Sequence, residues 1–414
     1  MDNKDNKKIW TIRYTLLNVA YFAAFCTIHA YAAVYLLANG FTNTQVGVLL
    51  ALANVVSALS QPVVAGFIDK PGPLTNKNFI FISIMVIMAG SVLLMVIRDN
   101  KIIIFIVYAI IYMVQFTYQP VMTALCFEYQ KAGCNIMYGL SRGLGSAGFA
   151  VMSAIIGGMV EKRGVFILLV VNVIMMVISA VVILSFRKPR ETGKKQEAAK
   201  AIERVKDGEE AAHNNIREFM SIYPAFSLFL VAAVCFYFAH NMINDFMIQI
   251  IRELGGAEKE LGYANFLQAI LELPVMALIP SVLKKVSAKK LLLLSGVSFL
   301  VKIIILIFAR NMVGMYVSQS FQLLAYAVFI PAAAYYVNEM LGSFDQVKGQ
   351  AFITTSITIG GVFSNLISGR ILDKLGVRPM IVTGTVICAI GVIISFIAMT
   401  KLSDNTLREK ALKD

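Results

Sequence analysis

Four ionisable side chains stand inside long apolar stretches: Arg142, Asp245, Glu272 and Lys302. In hydrocarbon each costs roughly 2.5–3.5 kcal/mol on insertion scales, so each must turn toward protein or water, and each is a functional candidate. A carboxyl withdrawn from water can hold a proton. Glu272 is therefore the expected proton site, with Asp245 a second. Lys302 needs an acidic partner, and either carboxyl would serve. Protonating that partner would remove the attraction and free the lysine, which is a natural switch. A guanidinium forks two parallel hydrogen bonds to neighbouring hydroxyls, so Arg142 is a candidate grip on a ligand, with Glu128 its candidate partner. Each has a plainer reading too: a carboxylate bonded between helices, a lysine snorkelling to the surface, an arginine anchoring a helix end.

Amides and aromatic rings are interleaved in the same stretches. The motif HNMIND places His240 with Asn244, and Asn241 with Asp245, on shared helix faces. Elsewhere stand Tyr21, His29, Tyr31, Gln115, Tyr118, Gln119, Gln319, Gln322 and Tyr326. Amides and phenols suit a neutral, hydroxyl-rich ligand, and ring faces suit a sugar or a base. His29, Gln115, Tyr118, Gln119, Asn241 and Gln322 join Arg142 and Glu128 as the expected substrate set. For any single one, bonding between helices is the alternative role.

Other chemistry has no residues to carry it. The glycines 139–148 are not a nucleotide loop, because no strand precedes them and no GK[ST] follows. The 5 cysteines are scattered, with no metal spacing. No metal or organic cofactor is expected, only a proton, and no catalytic constellation is visible, so the chain is not read as an enzyme.

These residues must be positioned by membrane helices. Of 414 residues, 58% are hydrophobic and 15% charged. Mean hydropathy is +0.74. Soluble domains carry about a quarter charged residues, so a soluble enzyme, a disordered chain and a disulfide scaffold are excluded. A span needs roughly 17–25 apolar residues. Twelve runs qualify, at about 12–39, 43–68, 79–98, 102–129, 137–160, 164–186, 221–251, 258–284, 290–309, 313–340, 347–371 and 378–400. They do not alternate, so helices are expected, giving an all-α membrane protein.

The charged stretch 187–220 splits the runs six and six. The expected units are residues 1–186 and 221–414, two six-helix bundles joined by a linker. The formal charge of +13 is read as basic loops fixing orientation rather than as a nucleic-acid surface. Both termini and the linker are basic, so all three are expected in the cytoplasm, in the inner membrane. The first run is too long for a cleaved signal peptide. An internal repeat supports the split: 145–165 matches 357–377 at a constant offset, with Gly148 on Gly360, Gly157 on Gly369, Glu161 on Asp373 and Gly164 on Gly376. His29 and His240 form a weaker echo. The glycines of run five are expected to let it approach a neighbour closely. Two similar bundles around a shared path is a transporter architecture.

On these features the chain resembles the major facilitator superfamily over nearly its whole length. It shares a degenerate form of that family's loop between helices two and three, AGFIDKPGPLTNK, keeping Asp69, Lys70 and Gly72 as the implied gating residues; Pro73 and Thr75 interrupt its basic end. YGLSRGLGSAGFA (138–150) and the segment 262–296 are similar to the oligosaccharide:proton symporters, the lactose permease group, and to their nucleoside-transporting relatives. The resemblance implies twelve helices in two pseudo-symmetric six-helix bundles, a central polar cavity and proton-coupled uptake. Arg142 falls on a sugar-contacting arginine of that group, Phe149 on its sugar-stacking position, and Lys302 on an arginine of its coupling site. Gln322 and Ala325 replace its coupling histidine and carboxylate, and Glu272 lies one turn beyond Ala269 at the matched position. Any coupling must therefore use a different residue set.

The expectation is a monomeric symporter bringing a proton and a small polar solute, a saccharide first, across the bilayer by alternating access. Nucleoside uptake is the nearest alternative, and drug or lipid export the next.

Overall fold

The computed structural model describes residues 3–68, 74–97, 99–186, 216–342 and 345–402. The expected gating residues Asp69, Lys70 and Gly72, and all but residues 216–220 of the linker, lie outside them. The described chain is helical, with no strand. Its first half contains α1 (Asn3–Phe25), α2 (Ala32–Ala38), α3 (Asn43–Ile68), α4 (Asn76–Val96), α5 (Lys101–Lys131), α6 (Tyr138–Arg163) and α7 (Phe166–Leu184). The second half contains α8 (Ile216–Ile222), α9 (Pro224–Asp245), α10 (Met247–Glu253), α11 (Glu258–Val282), α12 (Ala288–Phe308), α13 (Met312–Ser320), α14 (Tyr326–Met340), α15 (Gln346–Leu375) and α16 (Val377–Phe396).

Among the described residues, 11 helical stretches are long and apolar enough to cross a membrane. The 25-residue α11 makes the twelfth, since at 1.5 Å per residue it reaches about 37 Å. The spans fall within a few residues of those expected, but three expected runs are not continuous. Run one passes through a π turn at Cys26–Ala30 and restarts as α2. Run seven breaks at Phe246 between α9 and α10. Run ten breaks through a 3₁₀ turn, Phe321–Leu323, between α13 and α14.

A break in hydrocarbon survives only if its freed backbone groups find partners. In run one they do. Asn172 of α7 and the Thr27 hydroxyl both donate to the Ala24 carbonyl, at 3.1 and 2.8 Å, and Tyr108 of α5 donates to the Ile28 carbonyl at 2.6 Å. Run ten is braced differently: Ser295 of α12 donates at 2.6 Å to the Ala325 carbonyl, which also keeps its helical bond from the Phe329 N–H at 3.1 Å.

Within the halves, α1 packs on α6 and α7, and its counterpart α9 packs on α15 and α16. The halves meet along two crossings, α6 with α11 and α3 with α15. Glycine makes both possible. A Cβ at Gly157 would strike the Glu258 carbonyl, and one at Gly262 the Ser153 carbonyl. At the other crossing, Gly47 lies against the Asn365 carbonyl and Gly369 against that of Asn43. The two crossings are copies at one constant offset along each helix pair. Gly164 and Gly376 end α6 and α15 alike, with φ of +75° and +89°, a region that favours glycine. In run five the close approach falls on Gly145, Gly148 and Gly157. Gly139, Gly143 and Gly158 have open space beside them, so their expected packing role is corrected: they lie off the contact face.

Hydrogen bonds tie the two halves at the end of the molecule remote from the linker, its far side. They join Asn43 and Thr44 to Asp373 and Gly369, Gln249 to Asn43, and Lys259 to Glu161. In α3 the buried positions crowd into the first half, Val46 to Ala53, whereas Val55, Val56, Leu59, Val63 and Phe67 beyond are exposed. The hydrogen bonds that the described residues make between the halves lie at the far side.

Gly47→Ala and Gly262→Ala each force a crossing apart and should destabilise the protein by roughly 1–3 kcal/mol. Gly66→Ala, with no atom nearby, should leave the melting temperature unchanged or raised. Thermal melting in detergent makes the comparison.

Candidate functional site

Gln322 sits in the 3₁₀ turn of run ten, where the backbone is free to present its amide to two neighbours. Its Oε1 accepts a hydrogen bond from the Lys302 ammonium at 2.6 Å, and its Nε2 donates to Glu272 Oε1 at 2.9 Å. Lys302 is 0% exposed and Gln322 1%. An ammonium has only donors, so it dictates that the amide oxygen faces α12. The amide nitrogen then faces the α11 carboxylate. Lys302 and Glu272 are thus joined through one amide rather than in direct contact. Ser318 donates to the Lys302 carbonyl at 2.7 Å and ties α13 to α12 beside the lysine.

Arg142 approaches from the first half. Its guanidinium lies 4.1 Å from the ring centre of Phe22 and donates to Ser146 at 2.8 Å. A Cβ at Gly145 would press on Phe22, so that glycine admits the ring beneath the guanidinium. Arg142 and Glu272 lie close enough for their charges to interact. Arg142 does not pair with Glu128, which instead accepts from Asn76 at 2.9 Å.

The two histidines lie in corresponding aromatic settings. His29, in the π turn, stacks on Phe25 at 3.7 Å and 7°, with Tyr112 and Phe116 around it. Gln115 faces its ring, yet no hydrogen bond of good geometry from a described residue reaches either ring nitrogen or either amide atom. His240 stacks on Tyr326 at 5.0 Å and 15°, edge-on to Phe299 and Tyr237. Its Nε2 pairs with Asn244 at 2.9 Å. Lys302 is near enough to act on its charge.

Asp245 ends α9 at the break in run seven. Tyr112 of the first half and Asn365 of α15 lie beside it. Asn365 is 0% exposed, and neither of its amide atoms makes a hydrogen bond of good geometry with a described residue. Asn241 is half-buried against Gly361.

The sequence candidates therefore separate. Glu272, Gln322 and Lys302 form one linked chain with Arg142 opposite. His29 with Gln115, and Asp245 with Asn365, form polar groups nearer the far side. Tyr118 lies inside the first half, 0% exposed and edge-on to Tyr21 at 4.7 Å. Phe149 and Gln119 are half-buried, and no ligand-like partner marks either. Sequence reasoning missed Asn172 and Asn365. An amide inside an apolar span was the available signal for both.

A family profile described as MFS_1 like family matches residues 11–404. No curated protein sequence matches the chain. Among solved structures, the chain is similar to nucleoside transporter NupG, solved as a point mutant, with a TM-score of 0.76 and 13% identity over 95% of this chain and 100% of that one. It is also similar to a peptide transporter POT, likewise a point mutant and in complex with alafosfalin, with a TM-score of 0.71 and 12% identity over 97% and 95%. A bacterial homolog of the human lysosomal transporter Spinster, inward-facing and unoccupied, gives 0.66 and 12% over 95% and 97%. At these identities the likeness is one of fold.

Gln322→Leu removes the acceptor of Lys302 and the donor to Glu272 together, and should destabilise the protein by about 3–5 kcal/mol, the cost of an uncompensated buried charge. Adding Lys302→Met should recover much of that loss, because the stranded ammonium is gone. Melting temperatures of the single and double variants check it.

Proposed function

Since the chain belongs to the MFS_1-like family of membrane transporters, we propose that it is a proton-coupled symporter of a small polar solute, a saccharide before other classes, working by alternating access. The observation that carries this reading is the Glu272–Gln322–Lys302 chain, closed by hydrogen bonds of 2.9 and 2.6 Å, with Arg142 facing it from the other half. It holds one carboxyl where a proton changes the charge balance of the whole site.

With Glu272 ionised, its charge holds the Gln322 amide and attracts Arg142. A proton on Glu272 weakens both, because hydrogen bonds to a charged acceptor are about twice as strong as those to a neutral one. Arg142 is then free to fork onto adjacent hydroxyls of the solute. The empty, half-loaded and fully loaded sites differ in charge, so they differ in which face they favour, and that difference is what couples the two movements. No cofactor besides the proton takes part. The basic termini and linker place themselves in the cytoplasm, the membrane is the inner one, and the monomer is the working unit.

A nucleoside is the second reading. The wide ring faces stacked at His29–Phe25 and His240–Tyr326 favour it, since a base offers a matching plane.

Counterflow in proteoliposomes with labelled sugars and nucleosides identifies the solute class. A protonophore should collapse accumulation of that solute. Glu272→Gln should abolish uphill accumulation while retaining counterflow. Uphill uptake by Glu272→Gln, or accumulation indifferent to the protonophore, overturns proton coupling through this residue.

A further inference from the structure

Glu161 and Asp373 occupy matched positions of the internal repeat, and the central site gives neither any work. Each stands near the far-side end of its helix, one on α6 and the other on α15. Each reaches into the opposite half. Asp373 accepts from the backbone N–H of Asn43 at 3.0 Å and of Thr44 at 2.7 Å, and from the Asn43 side-chain amide at 2.9 Å. Glu161 accepts from the backbone N–H of Lys259 at 2.8 Å. Asn43 and Thr44 open α3; Glu258 and Lys259 open α11.

The first N–H groups of a helix have no partner within it, and they carry the positive end of its dipole. Local capping here leaves these groups over. At α3, the Thr42 hydroxyl accepts from the Gln45 N–H at 3.2 Å, so Asn43 and Thr44 are left to Asp373. At α11, the preceding residue is Ala257, whose side chain can accept nothing, and Glu260 reaches back to its N–H at 2.9 Å. The acidic neighbour Glu258 is neutralised by Arg252 at 2.6 Å, which lowers its repulsion of Glu161. The same faces carry Gly157 and Gly369, one helical turn deeper, where the crossings are tightest.

We propose that Glu161 and Asp373 are the two latches of the far side. Each carboxylate of one half caps a helix N-terminus of the other, so both caps must open before the halves can part there. They bias the balance between the far-side-closed and far-side-open states without touching the solute. The proposal rests on the alternating-access reading but not on the proton or the identity of the solute.

The test uses the full chain in nanodiscs, with the 5 native cysteines replaced by alanine and spin labels at positions 163 and 310. Arg163 and Arg310 are exposed, lie in opposite halves, and take no part in either latch. Electron–electron distance measurements give the ratio of long to short populations. Asp373→Ala and Glu161→Ala should each raise that ratio roughly three- to tenfold. The effects should multiply in the double variant, because the two caps share no partner. Asp373→Asn, which keeps one acceptor and the shape of the side chain, should fall between. Two populations in the parent with an unchanged ratio in every variant, all of them monodisperse, overturn the latches alone. A single population in the parent and all variants overturns both the latches and alternating access.

Discussion

An ammonium with no exposed surface sets the terms for the second half of this protein. Lys302 is fully buried in a helix of otherwise apolar character, and three N–H donors in that setting must be met. The acceptor comes from Gln322, which reaches it because run ten abandons α-helical geometry for one 3₁₀ turn. The Ala325 carbonyl just after that turn, which already accepts from the Phe329 N–H at 3.1 Å, is also held by Ser295 on the lysine's own helix. The remaining amide nitrogen must then find an acceptor, and Glu272 supplies it. One buried charge thus accounts for a helix break, a serine, a glutamine and a carboxylate on three runs.

The first half solves a parallel problem without an ion. The π turn around His29 exposes carbonyls that Asn172, Thr27 and Tyr108 satisfy, and the result is again an irregular turn beside a histidine held among rings. The scaffold repeats between halves, but the chemistry does not. Gly47 and Gly262, and Gly157 and Gly369, are paired because the two crossings need the same close backbone approach twice, and Gly164 and Gly376 because α6 and α15 both end at a positive φ. The Lys302 chain has no ionic counterpart among the described residues; Arg142 faces it from elsewhere in the fold. A transporter needs two matching hinges but only one charge-sensitive centre, and the sequence repeat decays where that requirement ends.

This pattern explains what could be read in advance. The twelve spans were legible because a bilayer imposes a length and a polarity that composition records directly. Glu272, Lys302, Gln322, His29 and Asp245 stood out because polar groups in apolar runs are costly. The breaks in runs one, seven and ten were not legible: no proline or glycine lies at Cys26–Ala30, Phe246 or Phe321–Leu323, and hydrogen bonds from other helices brace the turns of runs one and ten. Nor could spacing show which glycines of run five face a neighbour. Glu128 and Arg142 looked like partners by sign, yet Asn76 and Ser146 claim them by position. The repeat flagged Glu161 and Asp373 as equivalent but could not show their use, because the groups they cap belong to the opposite half.

The difference in burial between centre and rim has a mechanical consequence. Exposed carboxylates and helix-end N–H groups are well solvated when separated, so contacts among them contribute modestly to the balance between states. They can close and reopen without a large barrier of their own. The central chain is different, since pulling Lys302 from Gln322 with no replacement acceptor would strand an ammonium in a dry site. In the proposed cycle the rim therefore follows the centre: the charge state at Glu272 decides whether the halves are free to rock, and the far-side contacts bias where they come to rest. A rim built from strong buried ion pairs would reverse that order and hold one face closed whatever the site contained.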